Sequence, residues 1–110
     1  MKSHNLTSPD IGQPQVFRLY VTGSTPQSSR AINNIKTICE TYLKDRHTLI
    51  VIDLYSDKFG AEADQIVVTP TLVRHSPLPK RRMIGDLSDT ARVLSTLGIG
   101  HSQTVSSHET

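Results

Sequence analysis

The stretch Val16-Phe17-Arg18-Leu19-Tyr20-Val21-Thr22-Gly23-Ser24-Thr25-Pro26 contains a strand, a turn and the first residue of a helix. Apart from Arg18, its first six residues are β-branched, aromatic or apolar, which predicts a largely buried strand that ends at Gly23. Thr25 is the expected N-cap, because its hydroxyl can accept a hydrogen bond from the first helical turn. Pro26 suits the first helical position, where its missing N–H costs nothing.

The residues after this turn predict an amphipathic helix of about five turns, because apolar residues recur at steps of three and four. These residues are Ala31, Ile32, Ile35, Ile38, Cys39, Tyr42 and Leu43. The next segment, Thr48–Leu54, is almost continuously apolar, which is typical of a central strand covered on both faces. Strand, helix and strand together form a βαβ unit with an expected right-handed crossover.

The second half of the chain predicts a hairpin followed by a helix. A short helix fits Asp57–Ile66, and two strands, Thr69–Arg74 and Arg81–Gly85, are joined by a proline-containing loop. Ser88 is the expected N-cap of the closing helix. The order βαβ-(α)-ββ-α is that of an α/β, thioredoxin-like domain.

Length and composition limit the classes of protein to which the chain can belong. Its 110 residues suit one domain, expected over residues 15–99, with disordered extensions over 1–14 and 100–110. A single cysteine forms no internal disulfide, and no apolar run is long enough to cross a membrane. We therefore expect a reducing, cytoplasmic setting. The net charge of only +2 argues against nucleic acid as the main partner.

The cysteines needed for thiol chemistry are missing from the position where a thioredoxin carries its Cys-x-x-Cys pair. That place reads Ser24-Thr25-Pro26-Gln27, and Cys39 lies on the apolar side of the predicted helix, where it acts as a small hydrophobic residue. Thr69-Pro70 falls where this fold carries its cis-proline, and the sequence leaves both the cis and the trans form open.

No motif for an enzyme, a metal or a cofactor stands out. The five histidines have no zinc-like spacing and are expected to be solvated, and phosphate-binding glycine loops are absent. Asp53 and Asp86 follow predicted strands, where carboxylates more often cap turns or pair with arginines than catalyse. The sequence therefore predicts a protein that is not an enzyme and that needs no cofactor.

Positive charge is concentrated on the predicted hairpin. Arg74, Lys80, Arg81 and Arg82 lie within nine residues without an acid among them. Such a patch can be a solvated sheet edge that discourages aggregation, or a docking surface for an acidic protein, which arginine binds through bidentate contacts. Nucleic acid is a third interpretation, weakened by the lack of aromatic residues in the patch. The docking surface is favoured slightly over the solvated edge.

Four ordered motifs resemble the KaiB family of circadian clock proteins. They are Leu19–Ala31, Val51–Leu54, Val68–Leu72 and Arg81–Ser88. The resemblance implies a non-enzymatic adaptor that binds a KaiC-like ring ATPase and autokinase, with a KaiA-like protein or an output histidine kinase as further partners. It also implies dimers or tetramers, since family members adopt a tetramer-forming state besides the thioredoxin-like one. A role in stress response fits as well as a clock role.

By the same resemblance, four basic residues are the expected partner or oligomer contacts: Arg30, Arg74, Arg81 and Arg82. Lys80 joins these expected contacts as a member of the basic patch. Thr69, Pro70, Gly85 and Asp86 are expected to be structural. The competing hypotheses are a thiol enzyme on the same fold, in which Cys39 would have to react, and an interaction module unrelated to a KaiC-like ATPase.

Overall fold

The computed structural model describes residues 14–57, 62 and 64–99. Within these residues, the elements in chain order are β1 (Gln15–Val21), α1 (Pro26–Tyr42), β2 (His47–Asp53), β3 (Thr71–Ser76), β4 (Arg81–Ile84) and α2 (Thr90–Leu97). The predicted α/β order is confirmed, with a β1–α1–β2 unit followed by a β3–β4 hairpin. None of the helices described is long and apolar enough to cross a membrane.

The strands form one mixed sheet in the order β2-β1-β3-β4. β1 runs parallel to β2 and antiparallel to β3, and β4 runs antiparallel to β3. In this register Leu19 lies opposite Val51 on one side and opposite Leu72 on the other. β1 is therefore one of the two central strands.

The prediction of β2 as a central strand is wrong, because β2 forms one edge of the sheet. Its side chains Ile50 and Val51 remain 44% and 39% exposed, whereas Leu19 on β1 is fully buried. A short apolar run fits a central strand, but its periodicity says nothing about which neighbours it will have. Here β3 pairs with the side of β1 that faces away from β2, so β2 has only one neighbouring strand.

The hydrophobic core lies between one face of the sheet and the two helices. It is formed by buried side chains from all of these layers: Phe17, Leu19, Val21, Ala31, Ile35, Ile38, Cys39, Leu43, Leu72, Leu87, Val93, Leu97 and Ile99. Every residue that α1 and its C-cap contribute to this set is among the apolar residues predicted from the sequence. Cys39 is 1% exposed and packs there as a small apolar residue.

A capping side chain marks the residue at which each helix begins. Thr25 caps α1 as predicted, since its Oγ1 accepts a hydrogen bond from the Ser28 N–H at 3.1 Å. Ser88 does not cap α2, contrary to the prediction, because Asp89 takes that place and accepts from the Arg92 N–H at 3.2 Å. Ser88 instead donates its N–H to Oδ1 of Asp86 at 3.1 Å, within the turn that precedes the helix.

The remaining sequence predictions concern Pro70, the short helix and the chain ends. The Thr69–Pro70 bond is cis, which answers the question left open by the sequence. Of the predicted helix over Asp57–Ile66, the structure describes only some residues, among which Glu62 and Asp64 are helical. The predicted disordered extensions fall almost entirely on residues 1–13 and 100–110, which lie outside the described residues.

Candidate protein-docking site

The structure separates the five predicted basic contacts into buried, paired and exposed groups. Arg74 is 5% exposed, and its guanidinium donates to the carbonyls of Leu97 at 2.7 Å and Pro79 at 2.9 Å. It lies opposite the core residue Phe17, on the side of the sheet that faces the helices. The expectation that Arg74 belongs to an exposed basic patch is therefore wrong: it holds the end of α2 and the hairpin loop together.

Lys80 is paired with a carboxylate that the sequence did not single out. Its Nζ lies 3.0 Å from Oδ1 of Asp64, and Nε2 of His75 lies 2.9 Å from Oδ2. Tyr20 donates its hydroxyl to the same Oδ2, and a guanidinium nitrogen of Arg18 lies 3.8 Å from it. We call these five residues the Asp64 cluster. The expectation that every histidine is solvated is wrong for His75, which is half-buried against this carboxylate.

Asp64 is kept ionised by its neighbours although only 3% of it is exposed. Burial opposes its ionisation, but hydrogen bonds from the Tyr20 hydroxyl, the Lys80 ammonium and the His75 ring outweigh that effect and lower the pKa of Asp64. Burial and the hydrogen bond to the carboxylate in turn raise the pKa of Tyr20. These contacts join β1, β3 and the hairpin loop to the segment that precedes Pro70.

Arg81 and Arg82 form the exposed part of the predicted patch. Arg82 donates to the backbone carbonyls of Asp64 at 2.8 Å and Gln65 at 3.4 Å. It forms no ion pair with a carboxylate among the described residues. The side chain of Arg81 makes neither a hydrogen bond nor an ion pair within the described ranges, and the residue is likewise exposed. Together with exposed Arg92 on α2, these arginines form what we call the basic edge (Arg81, Arg82 and Arg92).

Arg30 is exposed but paired. Its Nε lies 3.1 Å from Oδ2 of Asp86, and Asn34 donates to the Asp86 carbonyl at 2.8 Å. Hydrogen bonds from Ser88 and from Arg30 lower the pKa of Asp86. The interpretation of Asp86 as a turn cap that pairs with an arginine is confirmed, and the pair fastens α1 to the loop before α2.

The turn after β1 is held by two further predicted residues. Oδ1 of Asp53 accepts from the Gly23 N–H at 3.1 Å and from the Tyr55 N–H at 2.9 Å, and these two bonds lower its pKa. The hydroxyls of Thr22 and Thr69 lie 2.6 Å apart and connect this turn to the cis-proline segment. Asp53 therefore caps a turn, as the sequence indicated.

The described residues include a buried thiol and an open groove beside the basic edge. No group of three metal-ligating side chains occurs among these residues. Burial raises the pKa of the Cys39 thiol to about 11, so very little thiolate forms near neutral pH. An open groove of about 610 Å³ lies between β4 and α2, beside the basic edge. Positive side chains and this groove are the features that a partner could contact.

Comparison with known sequences identifies the family. The model of the KaiB domain matches residues 18–99. The circadian clock protein KaiB3 of a Synechocystis species is 44% identical over 84 residues, which cover 76% of this chain and 82% of that protein. The circadian clock oscillator protein KaiB of a Prochlorococcus marinus strain is 46% identical over 84 residues, or 76% of this chain and 78% of that protein.

Comparison with solved structures agrees on the fold. The N-terminal domain of Synechococcus elongatus SasA superposes with a TM-score of 0.63 and 27% identity, over 78% of this chain and 85% of that domain. A chloroplastic thioredoxin z gives a TM-score of 0.64 at 15% identity, over 89% of this chain and 88% of that one, a likeness of fold alone. With a thioredoxin-like fold, no Cys-x-x-Cys pair and a family match that spans the domain from β1 to the end of α2, this chain belongs to the KaiB family.

Proposed function

We propose that this chain is a non-enzymatic, cytoplasmic regulator that binds a KaiC-like ring ATPase and modulates the phosphorylation state or the output of that ATPase. The observation that carries the proposal is the match to the KaiB domain over residues 18–99. The relatives at about 45% identity bear the names of circadian clock proteins, which supports a regulatory role. The same role is compatible with a clock and with a stress-response pathway.

The charge on the surface supports docking to an acidic partner. Arg81 and Arg82 are exposed without a carboxylate partner in the described ranges, and Arg30 stands at the exposed end of its pair with Asp86. Arginine forms planar, two-point contacts with carboxylates, so these exposed arginines suit contacts with an acidic protein surface. Lys80 contributes less to such docking, since its ammonium is engaged by Asp64.

Two further partners are proposed. An output histidine kinase is one of them, and the likeness to the N-terminal domain of SasA supports a further partner in the same clock pathway. A KaiA-like protein is a further proposed partner, and association into dimers or tetramers is proposed from the family. The proposed regulatory role requires that the ATPase complex forms.

Native mass spectrometry tests that requirement. The full chain is mixed with a KaiC-like ATPase from the same genome in the presence of ATP, and separately of ADP. A complex is expected in at least one nucleotide state. If the two proteins remain separate with both nucleotides, the proposal is overturned. Light scattering of the chain alone gives its mass and distinguishes a monomer from a dimer or a tetramer.

A further inference from the structure

β4 has a hydrogen-bonding edge that no strand of the described sheet covers. It is the last strand in the order, and the Gly85 N–H donates to the Pro70 carbonyl at 2.9 Å, one position beyond the register pair formed by Ile84. Hydrogen-bonded and non-bonded pairs alternate in an antiparallel ladder. Ile84 and Arg82 therefore point their backbone N–H and C=O groups away from β3, toward the outer edge.

The groove between β4 and α2 runs beside this edge and has an apolar floor. Its volume is about 610 Å³, and its lining includes Met83 from β4, Leu87 from the connecting loop and Val93 from α2. Leu87 and Val93 are buried, and Ile84 at the rim of the groove is 65% exposed. An extended segment lying here could pair its backbone with β4 and turn alternate side chains onto this floor.

The charges around the groove favour an acidic occupant. Arg82 and Arg92 line it, and neither forms an ion pair with a carboxylate in the described part of the chain. The two acids of the lining are engaged internally: Asp86 pairs with Arg30, and Asp89 caps α2. The cations are therefore the charges left available at the rim.

We propose that the outer edge of β4, together with the groove beside α2, binds an extended segment of a partner protein in which acidic and apolar residues alternate. The segment adds a fifth strand to the sheet, places its apolar side chains on the floor of the groove, and places its carboxylates on the opposite face of the sheet, where the side chain of Arg82 lies. This inference goes beyond the proposed function, since it does not depend on which protein supplies the segment.

Other occupants fit this edge less well. A second copy that paired antiparallel along β4 with Arg82 opposite its own counterpart would place like charges across the ladder, which is destabilising. The chain's own ends match the site poorly in sequence, because residues 1–13 contain the single acid Asp10 and residues 100–110 the single acid Glu109. A separate acidic segment can both pair with the charge of Arg82 and form hydrogen bonds with the outward backbone groups of Arg82 and Ile84.

The test is an NMR titration of the full chain with an end-capped eight-residue peptide that alternates valine and glutamate. We expect saturable shifts that are largest at the amides of Arg82 and Ile84. The same peptide N-methylated at alternate residues is expected to lose binding, because it cannot donate to the edge. A peptide that alternates valine and lysine is expected to bind at least about tenfold more weakly, because its charge is reversed.

Two test variants and one control variant of the chain complete the test. Ile84→Pro removes the outward N–H without breaking the ladder to β3, a change that edge strands tolerate, and is expected to weaken peptide binding about tenfold or more while the fold is retained. Arg82→Glu reverses the charge on the face that receives the carboxylates and is expected to weaken peptide binding about tenfold. Lys44→Glu, an exposed charge reversal away from the groove, serves as the matched control with unchanged binding.

Four results would overturn the proposal. They are the absence of saturable shifts up to ~1 mM peptide, equal binding of the N-methylated peptide, shifts centred on β2 instead of β4, and equal loss of binding in the Lys44→Glu control. Movement of the Arg82 and Ile84 amides on deletion of residues 100–110, or on dilution, would assign the edge to the chain's own tail or to a second copy. Formation of the ATPase complex is a separate measurement, so either idea can fail alone.

Discussion

The ammonium of Lys80 lies 3.0 Å from Oδ1 of Asp64, which ties the loop of the β3–β4 hairpin to the segment that precedes the cis-proline. The same carboxylate accepts from Tyr20 in β1 and contacts His75 in β3. One acid therefore connects three parts of the chain that are far apart in sequence. Lys80, one of the positive charges predicted for the hairpin, therefore stabilises the fold through its contact with Asp64.

Asp64→Asn is expected to destabilise the protein by about 2 kcal/mol, because it removes a buried charge and leaves its cationic partners without a counter-charge. The free energy of unfolding is measured in urea at neutral pH. Glu40→Gln, which changes an exposed carboxylate on α1, is the matched control and should change stability by less than about 0.5 kcal/mol. Equal effects of the two substitutions would contradict the role given to the Asp64 cluster.

The stability contributed by Asp64 is expected to depend on pH. The pKa of Asp64 is lower in the folded protein than its usual value of about 3.9, so its contribution is fully present above that value and is lost as the pH falls through the lower, folded pKa. The difference in the free energy of unfolding between the wild type and Asp64→Asn should therefore narrow below about pH 4. A difference that stays constant down to the acid limit of the fold would argue against an ionised Asp64.

Gly85→Ala is expected to cost about 2 kcal/mol, whereas Gly98→Ala should cost about 1 kcal/mol. No other atom lies within 4 Å of the Cβ added at either glycine, so only the backbone differs. Gly98 has φ of +70°, in the left-handed helical region that other residues reach at modest cost, but Gly85 has φ of +118°, which only glycine adopts readily. Thermal unfolding of both variants measures the difference, and equal costs would remove the structural role predicted for Gly85.

Cys39 is expected to react at least about 100-fold more slowly with a thiol reagent in the native protein than in denaturant. The thiol is 1% exposed, and burial raises its pKa to about 11, so both access and the supply of thiolate are limited. Labelling is followed by mass spectrometry at neutral pH. Fast labelling of the folded protein would contradict this prediction and would support the hypothesis of a thiol enzyme on this fold.

Local patterns predicted the order of the elements, but not their neighbours across the sheet. The spacing of apolar residues in α1 and the Thr25 cap are properties of a few adjacent residues, and both were predicted correctly. The edge position of β2 depends on which strand pairs with the far side of β1, and the Asp64 cluster depends on contacts made over as many as 46 positions, from Arg18 to Asp64. Such contacts leave no periodic signal in a single sequence, which is why the burial of Arg74 and the pairing of Lys80 with Asp64 were not predicted.

Reversal of the charge at Arg81 is expected to separate docking from folding. Arg81 lies opposite Arg74 in the β3–β4 ladder, so a glutamate there meets a cation and should leave the free energy of unfolding unchanged or raise it. If the proposed adaptor role holds, Arg81→Glu should weaken the complex with the KaiC-like ATPase about tenfold or more, as measured by fluorescence anisotropy of the labelled chain.

Arg74→Met provides the contrast for that prediction. Arg74 is buried and holds the carbonyls of Leu97 and Pro79, so its loss should lower the free energy of unfolding by about 2 kcal/mol. Any weakening of the ATPase complex in this variant should follow the fraction of unfolded protein, because Arg74 offers no surface for contact. If Arg81→Glu leaves the complex intact while fully folded Arg74→Met abolishes it, the exposed arginine is not the docking residue, and a buried one acts through the arrangement of α2.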